Sequence, residues 1–434
     1  MSVASSQVAI RFHPPSYDIR VENVPIPEIT HPDDAIVKIH FSGLCGSDLH
    51  VYRGHEAVDK MQANFSVAHH TCGHEFIGQV VKLGSSFSVH SQRLPTLYAN
   101  LKIGDKVVCP FTTSCGECQM CRSGFTCRCI QSKLFGSPAL EGAQAQCIRV
   151  PNAGGTLFNL SDPDTWPLST PKQVSDSSLL LLADILPTGI FAVIQALSHP
   201  KVLPVLAAAP WPLHDQASSD MLGLFPKENV PTFAIIGLGP VGVCATISLL
   251  DQLGKRKLPS GFRIVAVDPI ESRRNKMRSI YSKVCDSEVQ SREVFAVQSI
   301  EEAKEIVQTW TSGVGCSAVL EVVGNNSALA LAYELVQPFG IISSVGVHGE
   351  RPFPLTGGQL YDKNVSFDFG RCPVRSLFPM AFDLLIKRQD IFGGVGDESG
   401  LIDRIVGFDE AVEMYAAFDK GEVGKIVFDP WKKT

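Results

Sequence analysis

Six polar residues crowd into two short runs that can do chemistry together. GLCGSDLH (43–50) holds Cys45, Ser47, Asp48 and His50, and CGHEF (72–76) holds His74 and Glu75. A thiolate, an imidazole and a carboxylate are zinc donors, and three protein donors leave a fourth position open for a reacting molecule. Taken singly, each residue is more often an ordinary packed side chain. Taken together they need a third donor from elsewhere in the chain. Asp184 offers it. It sits in ADILPTGIFA, inside the apolar stretch Ser177–Leu197, where a carboxylate is costly unless it has a partner. His69, His70 and Cys72, in the run AHHTC, are rival donors.

A second set is closed. Cys115-x2-Cys118-x2-Cys121-x7-Cys129 lets one loop wrap a tetrahedral ion. Four thiolates leave no open position, which marks a structural site. They also leave a net charge of −2 on a bound Zn²⁺, which backbone N–H groups must offset. Cys109 and Cys127 lie close by and are alternatives, and an iron–sulfur cluster is a further one. The chain has 13 cysteines, an odd number, and no secretory context, so metal accounts for the cluster better than disulfides do.

The third constellation is Gly237-Leu-Gly239-Pro240-Val241-Gly242, which fits G-x-G-x-x-G. It follows the apolar run TFAIIG and opens a helical pattern, the context in which such a turn cradles a pyrophosphate. Asp268 ends the next strand, FRIVAVD, where an acid binds a ribose diol. It would repel a 2′-phosphate, which favours NAD. Arg273 and Arg274 follow closely and keep NADP as the alternative.

These residues must be held by two kinds of element. AIVKIHFSG (35–43), FIGQVVKLG (76–84) and KVVCPF (106–111) read as strands of an irregular β-rich domain. From Thr232 the chain alternates strands and helices: TFAIIG, a helix over GPVGVCATISLLDQLG, FRIVAVD, SAVLEVVG (317–324), a helix around 328–336 and GIISSVGV (340–347). That rhythm predicts an α/β fold with a parallel sheet covered on both faces. The segment 198–231 reads as an insertion. After His348 the rhythm is lost, and VGKIVFDP (423–430) is expected to return to the first domain.

The 434 residues are 44 % hydrophobic and 19 % charged, with a formal net charge of −6, which argues against a nucleic-acid surface. Asp184 and Pro187 break the one stretch long enough to span a membrane, and no signal sequence is visible. A cytoplasmic location is expected.

GLCGSDLH, CGHE, the four-cysteine lobe and GLGPVG occur in the order of the zinc-containing medium-chain alcohol dehydrogenase family, which this sequence resembles over most of its length. The resemblance implies a GroES-like β-rich catalytic domain over 1–190, with the structural zinc lobe at 109–130. It also implies a doubly wound Rossmann domain over 191–348 and a return to the catalytic domain over 349–434. It implies two Zn²⁺ per chain and NAD or NADP. Cys45 and His74 would hold the catalytic zinc with Asp184, where the family usually has Cys or Glu. Ser47 would bond the substrate oxygen, His50 would pass the proton to solvent, Asp48 would orient His74, and Glu75 would lie behind the metal. Val345 and Val347 would meet the cofactor carboxamide, and Lys425 or Arg371 the pyrophosphate. Phe111, Phe135 and Leu140 are candidates to line the pocket. The expected activity interconverts an alcohol and an aldehyde or ketone, in a homodimer or homotetramer. The run around Asp184 is similar to the glutathione-independent formaldehyde dehydrogenase branch, which suggests a dismutase-type enzyme with tightly held NAD as an alternative. A non-catalytic zinc and nucleotide sensor is an alternative of another class.

Overall fold

The computed structural model describes residues 6–54, 69–88, 100–161, 174–209, 211, 230–256, 258, 260–284 and 293–432. They form two compact units, residues 1–187 with 373–434, and residues 188–372.

The first unit is built on a seven-stranded mixed sheet and a three-stranded one. Ala35–Leu44 lies at the centre of the larger sheet, antiparallel to Phe76–Leu83 on one side and to Lys425–Phe428 on the other. Alternate residues Ala35, Val37 and Ile39 turn into one apolar cluster with Phe76, Val80 and Val107, the period-two pattern of a strand with one face on a core. The pairing positions the chemistry. Ser42 is opposite Phe76, so Cys45, just past the end of one strand, comes beside His74 and Glu75, just before the start of the next. The Gly43 N–H donates to the Glu75 carbonyl at 3.0 Å and locks that register.

The apolar stretch Ser177–Leu197 is two helices and a break. Asp176–Leu180 continues as a 3₁₀ turn, Leu181–Ala183, and the helix Ile185–Leu197 follows. Asp184 occupies the break with φ −153° and ψ −71°, outside the helical region. The interruption turns its carboxylate out of the helical path. Among the described residues no single helix is long and apolar enough to cross a membrane. The bent pair Asp176–Ala183 and Ile185–Leu197 passes by length and composition together, and most of its residues are buried.

The second unit carries a six-stranded parallel sheet in the order Glu293–Gln298, Phe262–Val267, Thr232–Ile236, Cys316–Glu321, Val336–Ser344, Ser366–Phe369. Each central strand is apolar on both faces. Phe233 and Ile235 pack with Ala245 and Leu249 of the helix Pro240–Arg256. Ala234 and Ile236 pack on the opposite face with Ala303, Leu329 and Ala332 from two other helices. This is the doubly wound arrangement.

One boundary moves. The return to the first unit, expected at 349, falls at 373. The helix Gly357–Lys363 and the strand Ser366–Phe369 remain in the second unit, because that strand pairs in parallel with Val336–Ser344. Four residues, SFDF, carry too little periodicity to be read as a sixth strand. The second unit also begins at 188 rather than 191. Most of the insertion at 198–231 and the stretch at 89–99 lie outside the described residues.

Candidate active site and metal centres

One donor atom from each of Cys45, His74, Glu75 and Asp184 lies within 4.8 Å of all the others, and all four residues are buried. His74 Nε2 is 3.2 Å from Asp184 Oδ2, and Cys45 Sγ is 3.8 Å from the same oxygen. Donors on a tetrahedral zinc with bonds of about 2.0–2.3 Å stand roughly 3.3–3.8 Å apart, so three of these groups fit one ion. Asp48 sets their orientation. Its Oδ1 bonds His74 Nδ1 at 3.0 Å and its Oδ2 accepts the Cys45 N–H at 2.9 Å. Asp48 thereby keeps a proton on Nδ1 and turns Nε2 toward the cluster.

The electrostatics ask for a cation at the centre. Burial pushes the Cys45 thiol up, and the charges of Glu75 and Asp184 push it further. Burial opposes protonation of His74, but the Asp48 charge and bonds to Asp184, Asp48 and Cys45 hold it well above the usual imidazole range. Glu75 Oε1 is buried without a hydrogen-bond partner among the described residues.

Ser47 stands at the rim of the cluster. Its Oγ is 3.2 Å from His74 Nε2 and 3.5 Å from Cys45 Sγ. His50 lies on the short helix Asp48–Tyr52 that Ser47 begins, and is half-buried. Phe111 meets the His74 ring edge-on with centroids 6.3 Å apart, so it walls the site. Phe135 and Leu140 belong to the apolar core instead. The rival donors fall away: His70 packs on Phe12, Cys72 joins an apolar cluster, and neither they nor His69 enters the donor set.

Lys425 corrects one expectation. It does not reach toward a pyrophosphate. Its fully buried ammonium pairs with the Glu75 carboxylate and donates to the Leu44 carbonyl at 3.0 Å. Gly43 makes room, since a Cβ there would stand 1.9 Å from Glu75 Oε2. No local signal could reveal this pair, because Glu75 lies 350 positions away. Lys425→Met should cost about 3–5 kcal/mol of stability by stranding a buried carboxylate. Urea unfolding measures this, and the added change Glu75→Gln should recover most of it. Arg371, the other residue weighed for that contact, is exposed.

The closed site is also formed. Cys115, Cys118, Cys121 and Cys129 each place a sulfur within 4.8 Å of the other three, with 3.9 Å between Cys118 and Cys129. Backbone N–H groups of Cys115 and Gln131 donate to Cys129 Sγ, and those of Glu117 and Cys118 to Cys115 Sγ. These are the donors that four thiolates require. Although burial acts against it, the Cys118 thiol falls to about 6, chiefly through the backbone N–H groups of Cys121 and Ile130. Cys127 and Cys109 stand outside the set.

In the second unit Gly237 has φ +97°, which only glycine adopts without strain, and a Cβ on Gly242 would lie 1.9 Å from the Gly237 carbonyl oxygen. A Cβ on Gly239 would meet nothing, and Gly239, Pro240 and Val241 are half-exposed, leaving the turn open to a ligand. Asp268 reaches back to this turn. Its Oδ2 accepts the Leu238 N–H at 2.7 Å, and Arg273 stands 3.7 Å away. Arg274 is committed to the carbonyls of Asp268 and Pro269.

Two families match this chain: "Alcohol dehydrogenase GroES-like domain" over residues 31–162 and "Zinc-binding dehydrogenase" over 259–386. The zinc-type alcohol dehydrogenase B of Aspergillus flavus is 37 % identical over 99 % of this chain and 82 % of its own. The chain belongs to the zinc-type alcohol dehydrogenases. The formaldehyde dismutase of Pseudomonas putida is a more distant relative, 25 % identical over 95 % of both chains. Among solved structures, the alcohol dehydrogenase TADH of Thermus sp. ATN1 is 26 % identical and superposes with a TM-score of 0.68, over 97 % of this chain and 99 % of that one. This zinc-type alcohol dehydrogenase is thus an oxidoreductase. Its family is a zinc-binding one that interconverts an alcohol with an aldehyde or ketone.

Proposed function

We propose that Cys45, His74 and Asp184 hold the catalytic zinc, that Cys115, Cys118, Cys121 and Cys129 hold a structural one, and that the turn Gly237–Gly242 with Asp268 binds NAD in preference to NADP. The observation that carries the reading is the shared Asp184 oxygen, 3.2 Å from an imidazole nitrogen and 3.8 Å from a thiol sulfur, on residues 110 and 139 positions away in the chain. Bound zinc supplies Lewis acidity that makes a substrate hydroxyl acidic, and bound NAD supplies the hydride acceptor.

The chain's own groups do the rest. Asp48 keeps the proton on His74 Nδ1. Ser47 Oγ, at the rim, takes the proton of the substrate hydroxyl, and His50, one helical turn further on and half-buried, passes it to water. Phe111 keeps the His74 side of the cluster dry. Glu75, held by Lys425, stands behind the donors with its charge already paired, so Cys45, His74 and Asp184 balance a divalent ion.

Metal analysis and an alcohol panel followed at the NADH and NADPH absorbance test this reading. Two zinc ions per chain and turnover with NAD are expected. Asp268→Gly, which removes the carboxylate that repels a 2′-phosphate, should shift the NAD/NADP ratio of kcat/KM toward NADP by about 10–100-fold, the scale of one or two lost charge contacts. An unchanged ratio would remove Asp268 from the ribose site. NAD(H) that survives gel filtration on the protein would favour the dismutase-type alternative, and free exchange the dehydrogenase.

A further inference from the structure

A further buried carboxylate, in the second unit, has no part in the chemistry described above. Glu321 ends the strand Cys316–Glu321 and has no exposed surface. Its Oε1 accepts the N–H groups of Val323 and Gly324, each at 2.8 Å. Its Oε2 accepts the Ser344 hydroxyl at 2.6 Å and contacts His348 Nε2 at 3.0 Å. Ser344 and His348 are themselves 2.8 Å apart. Burial would raise this carboxyl, yet the bonds from His348, Ser344 and Gly324 hold it below its usual range, so it stays charged.

Three segments therefore meet on one carboxylate: the turn after Glu321, the end of the strand Val336–Ser344, and the loop that follows. The loop Val345–Val347 is gripped on another side as well. A Cβ on Gly324 would lie 2.4 Å from the Val347 nitrogen, and one on Gly346 would lie 2.2 Å from the Gly324 nitrogen. Two glycine backbones thus touch with no space between them. The Val345 N–H donates to the Glu321 carbonyl at 3.1 Å. The His348 ring is fixed edge-on against Phe369 with centroids 5.2 Å apart. The outer face of the loop is open, with Val347 49 % exposed. A loop tethered at both ends and exposed between them is built to present its backbone to a ligand at the carboxyl end of a parallel sheet.

We propose that Glu321, Ser344 and His348 form a latch that fixes Val345–Val347 against the nicotinamide end of the cofactor, which makes His348 a positioning residue. The inference rests on the reading that this loop meets the carboxamide.

The test compares affinity for NAD with affinity for ADP-ribose, which lacks the nicotinamide, in wild type, His348→Ala, His348→Gln and Ser344→Ala. Amide hydrogen exchange at 345–347 is measured alongside. Loss of one bond to a buried charge should weaken NAD about tenfold in His348→Ala. ADP-ribose binding should not change, exchange in the loop should speed up, and glutamine, which can still donate to Glu321, should restore both. Equal weakening of both ligands, or no change in either while the loop exchanges as in wild type, would overturn the latch. If wild type binds ADP-ribose as tightly as NAD, the carboxamide reading fails instead, and the latch with it. Ser344→Ala gives an independent route should His348→Ala not fold.

Discussion

Asp184→Asn is expected to leave a folded protein that has lost turnover and one of its two zinc ions. Asparagine keeps the shape of the side chain, so the break between Ala183 and Ile185 can persist. It removes the one oxygen that both His74 Nε2 and Cys45 Sγ approach, and with it one of the charges that balance a divalent ion. Even the loss of residues that only support metal ligands typically costs 10–100-fold, so removing a ligand should lower kcat/KM by at least ~100-fold. Zinc content should drop from two to one per chain, because the four-cysteine lobe is untouched. The melting temperature should stay within a few degrees, since the carboxylate contributes to a metal site rather than to a core. Full activity with two zinc ions in this variant would remove Asp184 from the ligand set.

Asp184 was legible because it was out of place. A carboxylate inside SSLLLLADILPTGIFAVIQAL has to have a reason, and the break in the helix supplies the geometry. The glycine turn was legible for a different reason: strand, turn, helix and acid are local, and backbone approach requires glycine at known places. What was not legible depends on partners remote in the chain. Lys425 looks like an available cation in VGKIVFDP, and only the sheet pairing of Lys425–Phe428 with Ala35–Leu44 reveals that Glu75 neutralises it. Glu321 carries the same signal as Asp184, a lone acid in the apolar run SAVLEVVG, and could have been flagged by the same logic. The strand Ser366–Phe369 was hidden by its length, and the boundary at 373 with it.

Cys121→Ser should do the reverse of Asp184→Asn: it should destabilise the first unit while leaving the chemistry of its folded fraction intact. The lobe has almost no core of its own. Its apolar cluster consists of Cys115, Cys121 and Cys129 with Cys118 packed against them, while Phe125 and Ile130 are 55 % and 78 % exposed. The helix Val374–Lys387 braces it with a bond from Ser376 to the Gly124 carbonyl, and half-buried Arg375 donates to the Leu157 carbonyl from the same helix. Those contacts presuppose a folded loop. A structural zinc contributes about 10–16 kcal/mol in small domains. Even a quarter of that, ~3 kcal/mol, would lower the melting temperature of a unit this size by about 6–12 °C. Metal analysis should again show one zinc ion, but now the catalytic one, and limited proteolysis should cut within 115–131. At low temperature kcat for the intact fraction should remain near wild type, because Cys45 and His74 flank strands outside the lobe and Asp184 sits in a helix break outside it. The pair of variants separates the two metals by opposite outcomes, one stable and inactive, the other active and unstable. A Cys121→Ser protein with unchanged melting and no activity would mean that the closed site, not the open one, carries the reaction.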